Sequence, residues 1–369
     1  MKKGFSILVV SVVITGIALS LIGIALVSQA APANKDQSSN RQIPKPVSAT
    51  NVQIVQKVLL SLDDIREAKG KPDKPPGQDK DKGPKDEETA TGVLGDPATG
   101  DKYAVIIGIC DYPGETSLDL CDSDGDSLHM YKALVEIYGY EPENIRLFKD
   151  AGGTTGFVNS NTEENIIAGI PTRDNILGAI MDIKEDPSMS SDDEVVFFYS
   201  GHGANGTADD GDNESTDEAI VVWDTEEDVA DNITYIWDGE LKTAFSDFAT
   251  DRIAFVFDTC LAGGWNDVVA DGRIVNMATE ETKSAYVYST AGEDVDGDGT
   301  KDGEGVFSRL FVNEGMLQGL ADEYNQLEKT DGNVAVEEAF YYAKENIPRP
   351  LKGRQKPVIS DGFTDDLLL

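Results

Sequence analysis

The sequence predicts an α/β fold, a three-layer sandwich in which a mainly parallel sheet of about six strands carries helices on both faces. Three observations predict it. Uninterrupted apolar runs of strand length, Tyr103–Ile109, Glu194–Ser200 and Arg252–Asp258, have the character of strands buried on both faces. Segments with helical apolar spacing alternate with them, the arrangement that builds parallel sheets. Two of the runs also stop abruptly at a reactive side chain next to glycine, where open α/β sheets place their sites.

Taken in order, Tyr103–Ile109 is the first strand. Asp122–Tyr138 follows as a helix, with Leu128, Tyr131, Leu134, Val135 and Tyr138 on one face and Gly139 as its stop. Asn144–Phe148 is a second strand. Thr172–Asp186 is a helix with Thr172 suited to the N-cap and Ile176, Ile180 and Ile183 sharing a face. Glu194–Ser200 and Arg252–Asp258 are the next strands, Ser284–Ser289 a fifth and Pro357–Ser360 a sixth. Gly305–Leu320 and Val334–Asn346 read as helices.

Ahead of this domain, expected over 101–369, lie two other stretches. Residues 1–30 begin Met1-Lys2-Lys3 and continue through an uncharged apolar run, Phe5–Val27. That is the pattern of an export signal or a membrane anchor, so the chain is expected to be exported, or tethered to the membrane through residues 5–27. Residues 31–100 read mostly as tether. Lys69–Lys85 is rich in proline, glycine and alternating charge and lacks aromatic residues. Within the tether, Val52–Ile65 has apolar spacing compatible with a short helix.

The 369 residues carry 68 Asp and Glu against 31 Lys and Arg, a formal net charge of −37. Such a surface excludes nucleic-acid binding by phosphate neutralisation and favours cations, whether metal ions or basic peptides. There are three cysteines and two histidines, so histidine-dependent chemistry has only His129 and His202 to draw on. His129 sits inside the first helix between Leu128 and Met130, as a packed residue would.

Strand Glu194–Ser200 runs into Gly201-His202-Gly203, and strand Arg252–Asp258 runs into Thr259-Cys260-Leu261-Ala262-Gly263-Gly264. His202 and Cys260 therefore emerge at one carboxyl edge of the sheet. A cysteine beside an imidazole is a nucleophile with a proton acceptor, and the backbone N–H groups of Gly203 and Cys260 are candidate oxyanion donors.

These residues resemble the caspase/metacaspase-like cysteine peptidases. The likeness runs from Tyr103–Ile109 through Ser200-Gly201-His202-Gly203 and Asp258-Thr259-Cys260 to Gly305-Val306-Phe307-Ser308, or roughly Lys102 to Ser360. It is nearer to metacaspases than to animal caspases, because Cys121-Asp122-Ser123-Asp124 matches their Cys-x-x-Asp element and Asp258 precedes the nucleophile by two. The resemblance implies a caspase-type fold, peptide or protein substrates, and endopeptidase activity through His202 and Cys260. It further implies a substrate pocket lined by Cys121, Asp124, Ser200 and Asp258. Two carboxylates facing one pocket suit a cation between them, hence Arg or Lys before the cut bond. Cys110 and Leu261 depart from the residues usual in that family.

Two acidic loops are candidate Ca²⁺ sites. Asp294, Asp296, Asp298 and Asp302 space oxygen ligands around Gly299, although the pattern is incomplete as an EF-hand. The resemblance points to a second set, Asp217, Glu218 and Asp267, following the loop Asp209–Glu214. Arg273 and Lys283 are candidate self-cleavage points for a basic-specific enzyme. The expected function is thus a cysteine endopeptidase with a Cys–His dyad, cleaving after Arg or Lys and activated by Ca²⁺. Its rivals are a legumain- or clostripain-like peptidase of other specificity and a non-cleaving caspase-like surface module that binds Ca²⁺.

Overall fold

In the computed structural model the described residues are 43–60, 89–114, 118–119, 123–149, 167–211, 214–288 and 303–369, with the side chains of Ser123 and Asp124 left out. The compact unit begins at Ile43, inside the stretch read from sequence as tether. Its strands are β1 (Ala49–Val55), β2 (Val58–Leu59), β3 (Lys102–Gly108), β4 (Ile145–Lys149), β5 (Ile167–Gly169), β6 (Glu194–Ser200), β7 (Gly203–Ala208), β8 (Asp217–Trp223), β9 (Ile233–Trp237), β10 (Ile253–Asp258), β11 (Arg273–Met277), β12 (Tyr286–Tyr288), β13 (Glu304–Gly305) and β14 (Val358–Asp361). The helices are α1 (Ser123–Lys132), α2 (Arg173–Lys184), α3 (Asp238–Ala244), α4 (Val306–Ser308) and α5 (Val336–Asn346). Wider π-helical turns extend α1 over Ala133–Ile137 and α4 over Arg309–Leu317.

Seven strands form the central sheet in the order β14-β11-β10-β6-β3-β4-β5, parallel except for β14. Side chains alternate between its faces as the pleat requires. Ala104, Ile106, Val196, Phe198, Ala254 and Val256 enter one core, with Leu128 and Met130 of α1 and Phe340 of α5. Val105, Ile107, Phe197, Tyr199, Phe255 and Phe257 enter the other, with Ile176, Ile180 and Ile183 of α2 and Leu241 of α3. This is the expected three-layer sandwich. Thr172 caps α2 as expected, its side chain accepting from the Asn175 N–H, and Gly139 takes a positive φ of 71° where α1 and its extension end.

Three elements differ from the sequence reading. The expected fifth strand does not join the central sheet: β12 pairs with β13 and β2 in a separate three-stranded sheet. The place beside β10 goes to β11, whose Ile274, Val275 and Met277 are buried. Arg273, a candidate self-cleavage point, opens that strand and donates to the carbonyls of Val268 and Phe245, so it is a structural residue. Finally, Val52–Leu60 is not helical. Ala49–Val55 is an edge strand paired antiparallel with β7, and Val52 and Ile54 pack against the second core.

The register positions the site. Ser200 lies opposite Asp258 on one side and Gly108 on the other, so three strands end at one level. His202 and Cys260 each follow by two residues.

Three residues before Cys260, Phe257 is fully buried, stacked on Trp265 at 4.4 Å and tilted against Phe197 at 5.7 Å. Phe257→Ala is expected to destabilise the domain by about 3–5 kcal/mol, read as a lowered urea midpoint. An unchanged midpoint would show that this aromatic stack contributes little.

Candidate active site

His202 is held from three directions. Its backbone N–H donates to the Tyr112 hydroxyl at 2.8 Å, its carbonyl accepts from the Tyr199 hydroxyl at 2.8 Å, and its ring stacks on Tyr112 with centroids 5.0 Å apart and planes 7° apart. The ring Nε2 lies 2.7 Å from the Leu118 carbonyl, which makes Nε2 the protonated nitrogen and leaves Nδ1 as the acceptor. Nδ1 then accepts the backbone N–H of Lys57 at 3.1 Å.

Cys260 sits at a sharp turn. Leu261, the next residue, adopts the left-handed conformation at φ 61°, an uncommon cost for a non-glycine side chain, and its N–H is fixed by the Lys283 carbonyl at 2.9 Å. The thiol accepts from the Ala285 N–H at 3.2 Å and donates to the Gln56 carbonyl at 3.2 Å. The Gln56 carbonyl and the Lys57 N–H belong to one peptide group, so Cys260 Sγ and His202 Nδ1 meet across a single peptide bond. Gly203 passes so close that a Cβ there would stand 2.4 Å from the Cys260 carbonyl.

Burial raises the Cys260 thiol to about 11, partly offset by the Ala285 N–H and the Lys57 ammonium. Burial likewise lowers His202 to about 4, opposed by its bond to Leu118. With the peptide in place, both groups are neutral at pH 7.

Next to Cys260 and His202, buried carboxylates surround an ammonium. Lys57 Nζ, fully buried, is 3.1 Å from Asp258 Oδ1, 3.9 Å from Asp126 Oδ2 and 2.8 Å from Ser200 Oγ, to which it donates. Ser200 in turn donates to Asp126 at 2.6 Å. Asp126 also accepts the Gly305 N–H, and Asp258 accepts the N–H and hydroxyl of Ser308 at 2.9 and 2.7 Å. Gly305 has to be glycine: a Cβ would fall 2.1 Å from Asp258 and 2.9 Å from Asp126. Burial, and then the Asp258 charge, push the Asp126 carboxyl well above its ordinary range, while Lys57 pulls it back.

Ser200 and Asp258, expected to line a substrate pocket, both contact the Lys57 ammonium. Cys121 lies outside the described residues, as does the side chain of Asp124. Among the described side chains, Asp126 is a carboxylate that shares Lys57 with Asp258. Lys57 was likewise missed, because nothing in the sequence links a residue in a presumed tether to strand ends 143 positions away.

The expected carboxylates Asp217, Glu218 and Asp267 form a second cluster with Asp210, Glu214 and Asp238. Single oxygens of Asp210, Asp217 and Asp238 lie within 4.8 Å of one another, and so do those of Glu214, Glu218 and Asp238. Asp210 Oδ1 and Asp238 Oδ2 are buried with no donor among the described residues. Burial and then Asp210 raise Asp238 to about 9, and burial and then Glu281 raise Glu218 to about 8. Asp267 makes a partly exposed ion pair with Lys242 at 3.3 Å and adds repulsion at both Glu218 and Asp238. Asp238 was missed because it opens α3, where a carboxylate ordinarily serves the helix dipole. Asp294, Asp296, Asp298 and Asp302 lie outside the described residues, and so does the apolar run Phe5–Val27.

A seven-stranded, mostly parallel sheet with helices around it, and with histidine and cysteine just past adjoining strand ends, is consistent with a caspase-like α/β sandwich. More particularly, residues 102–269 match the family described as Metacaspase, peptidase C14 domain, and this segment is similar to the peptidase domain of that family. The chain is 35% identical over 172 residues to Metacaspase-4 of Arabidopsis thaliana, covering 45% of the chain and 34% of that protein. It is 30% identical over 199 residues to Metacaspase-6 of the same plant, covering 53% and 46%. With Metacaspase-1 of Scheffersomyces stipitis it shares 28% over 123 residues, covering 33% and 27%. The matches thus span a third to a half of the plant proteins' length.

Because the Cys260 thiol is raised to about 11, its alkylation by iodoacetamide in the full chain, followed by site-resolved mass spectrometry, should climb steadily above pH 9. A plateau reached below pH 8 would mean that the thiolate already forms in the covered site.

Proposed function

We propose that the chain is a cysteine endopeptidase acting through His202 and Cys260 and cutting peptides or proteins after Arg or Lys. Cys260 Sγ bonds to the carbonyl carbon while its proton passes to His202 Nδ1. The same proton then goes to the leaving amine, and water divides the thioester. The N–H groups of Gly203 and Cys260 are the donors assigned to the oxyanion. Asp126, Ser200 and Asp258 are assigned to the substrate's cationic side chain.

The observation that carries this reading is the peptide group lying across Cys260 Sγ and His202 Nδ1, with a lysine ammonium seated between Asp126 and Asp258. A site that holds its own lysine this way has the charge and depth for a basic side chain. The Lys2-Lys3 start and the apolar run after it favour an exported or membrane-anchored enzyme.

Paired fluorogenic peptides ending in Arg, Lys, Asn or Asp test the specificity. Cleavage of the Arg and Lys peptides is expected, with Asp126→Asn reducing kcat/KM on them at least tenfold through loss of a desolvated charge. Faster cleavage after Asn or Asp would instead favour a different pocket.

Ca²⁺ fits the second cluster, because the donors are hard oxygens and two of them are buried without a donor. Asp210, Asp217, Glu218 and Asp238, with Glu214 and Asp267 beside them, would hold it. Bound there, the ion supplies positive charge that relieves carboxylate repulsion and fixes the loops. The Asp294–Asp302 loop is a second candidate by its oxygen spacing. Millimolar Ca²⁺ is expected to raise the melting temperature of the full chain, and Asp238→Asn to abolish most of that rise. An identical melt in Ca²⁺ and in chelator overturns the assignment.

A further inference from the structure

Away from the dyad, one stretch of the domain runs against the chain's acidic character. Between Lys344 and Lys356 the sequence places five basic residues, Lys344, Arg349, Lys352, Arg354 and Lys356, and a single acidic one, Glu345, in a chain of net charge −37. All five cations are exposed. Carboxylates are abundant, yet among the described residues only Lys356 of the five makes an ion pair, an exposed one with Glu280 at 3.4 Å. The positive charge of this stretch is therefore left for something outside it.

The cations border a groove rather than a flat surface. It lies between the C-terminal half of α5 and β14, with a volume of about 550 Å³. Tyr341, Ile347, Val358 and Ile359 give it apolar walls, and Lys344, Lys352 and Lys356 line it as well. The basic rim is held in place before any ligand arrives. Gly353 takes a positive φ of 93°, which turns the chain between Lys352 and Arg354. The Lys352 N–H donates to the Pro348 carbonyl at 3.1 Å, and the N–H groups of Arg354 and Gln355 donate to the Leu351 carbonyl at 2.7 and 3.0 Å. The buried Gln355 side chain pins this turn to the domain, accepting the Tyr286 N–H at 3.1 Å and donating to the Ala278 carbonyl at 3.3 Å. On the helix side, Lys344 Nζ lies 5.6 Å from the Tyr341 ring centroid and 5.9 Å from that of Phe340. Charges fixed in this way bind with little further loss of conformational entropy.

The last wall is a strand edge. β14 ends the central sheet: it pairs with β11, and no other strand among the described residues covers its outer side. Such an edge presents N–H and C=O groups that another backbone can use. From these features we infer that the groove binds an acidic peptide segment of a partner protein. Its carboxylates face Lys344, Lys352, Arg354 and Lys356, and its main chain lies along the free edge of β14. Charge complementarity sets the sign of the partner. The apolar walls and the strand edge select a polypeptide over a small anion, which would engage the cations alone. The site shares no residue with the Asp126, Ser200 and Asp258 set, and its test reads binding, independent of peptidase activity.

Fluorescence anisotropy on the full chain provides that test, with a fluorescein-labelled peptide of alternating glutamate and valine as the probe. Saturable binding is expected, weakened about tenfold or more in the double variant Lys352→Glu, Arg354→Glu. Lys329→Glu, at an exposed lysine outside the groove, should leave it unchanged. Should the charge-reversed pair not fold, Lys352→Ser with Arg354→Ser takes its place and should also weaken binding. A peptide of alternating lysine and valine should not bind. No binding of the acidic peptide at low salt, or an equal loss in Lys329→Glu, overturns the site. Three further results overturn the choice of partner: inorganic tripolyphosphate binding as tightly as the peptide, phosphatidylserine vesicles binding where the peptide does not, and self-association of the chain that the double variant abolishes.

Discussion

A buried lysine between two buried carboxylates is the interaction on which the site's present form depends. Taking three charges out of water costs several kcal/mol apiece, and mutual attraction repays it only when the remaining hydrogen bonds are made. Here they are made. Asp258 receives the N–H and hydroxyl of Ser308, Asp126 receives the Gly305 N–H and the Ser200 hydroxyl, and Lys57 donates to Ser200. The donors come from the end of β6, from β13 and from α4, so the ammonium ties together elements that share no strand pairing. One positive charge against two negative ones still leaves an imbalance. Asp126 carries it, held well above the usual carboxylate range by burial and by Asp258.

That arrangement exists because β3, β6 and β10 are in strict parallel register. Ser200, Asp258 and Gly108 fall on one line, so the pocket groups sit at the strand ends themselves and the dyad two residues beyond. A slip of one residue in β10 would turn Asp258 and Cys260 to the opposite face, where Phe257 now packs. The apolar alternation that feeds two separate cores is therefore also what aims the chemistry.

This explains what the sequence made legible. Apolar runs ending in His202 and Cys260 report a local property, burial followed by a sharp turn, and the central parallel strands follow from them. Lys57 reports nothing locally. Its neighbours Val52 and Ile54 alternate as a strand would, but a patch so short also fits a helix, and the partner that decides between them, β7, lies about 150 residues away. Asp126 was obscured by its neighbours: three aspartates at 122, 124 and 126 are spaced alike in the sequence, and nothing local marks Asp126 as the partner of Ser200. The exchange of β12 for β11 has a similar origin. Both are short apolar stretches after the nucleophile, and only pairing with the far terminus through β14 places β11 in the central sheet.

The excess of acidic residues acquires a structural meaning in the same terms. Two clusters of carboxylates balance their charge differently. In the first, the Lys57 ammonium lies between Asp126 and Asp258. At Asp210, Asp217 and Asp238 carboxylates crowd together, and burial together with repulsion from Asp210 holds Asp238 near 9. Strand β7 lies between these two solutions. On one side it pairs with β1, which leads to Lys57. On the other it pairs with β8, where Asp217 and Glu218 sit opposite Gly206 and Asn205. The acidic cluster on one edge of β7 and the segment leading to Lys57 on the other are thus joined by a single hydrogen-bonded ladder.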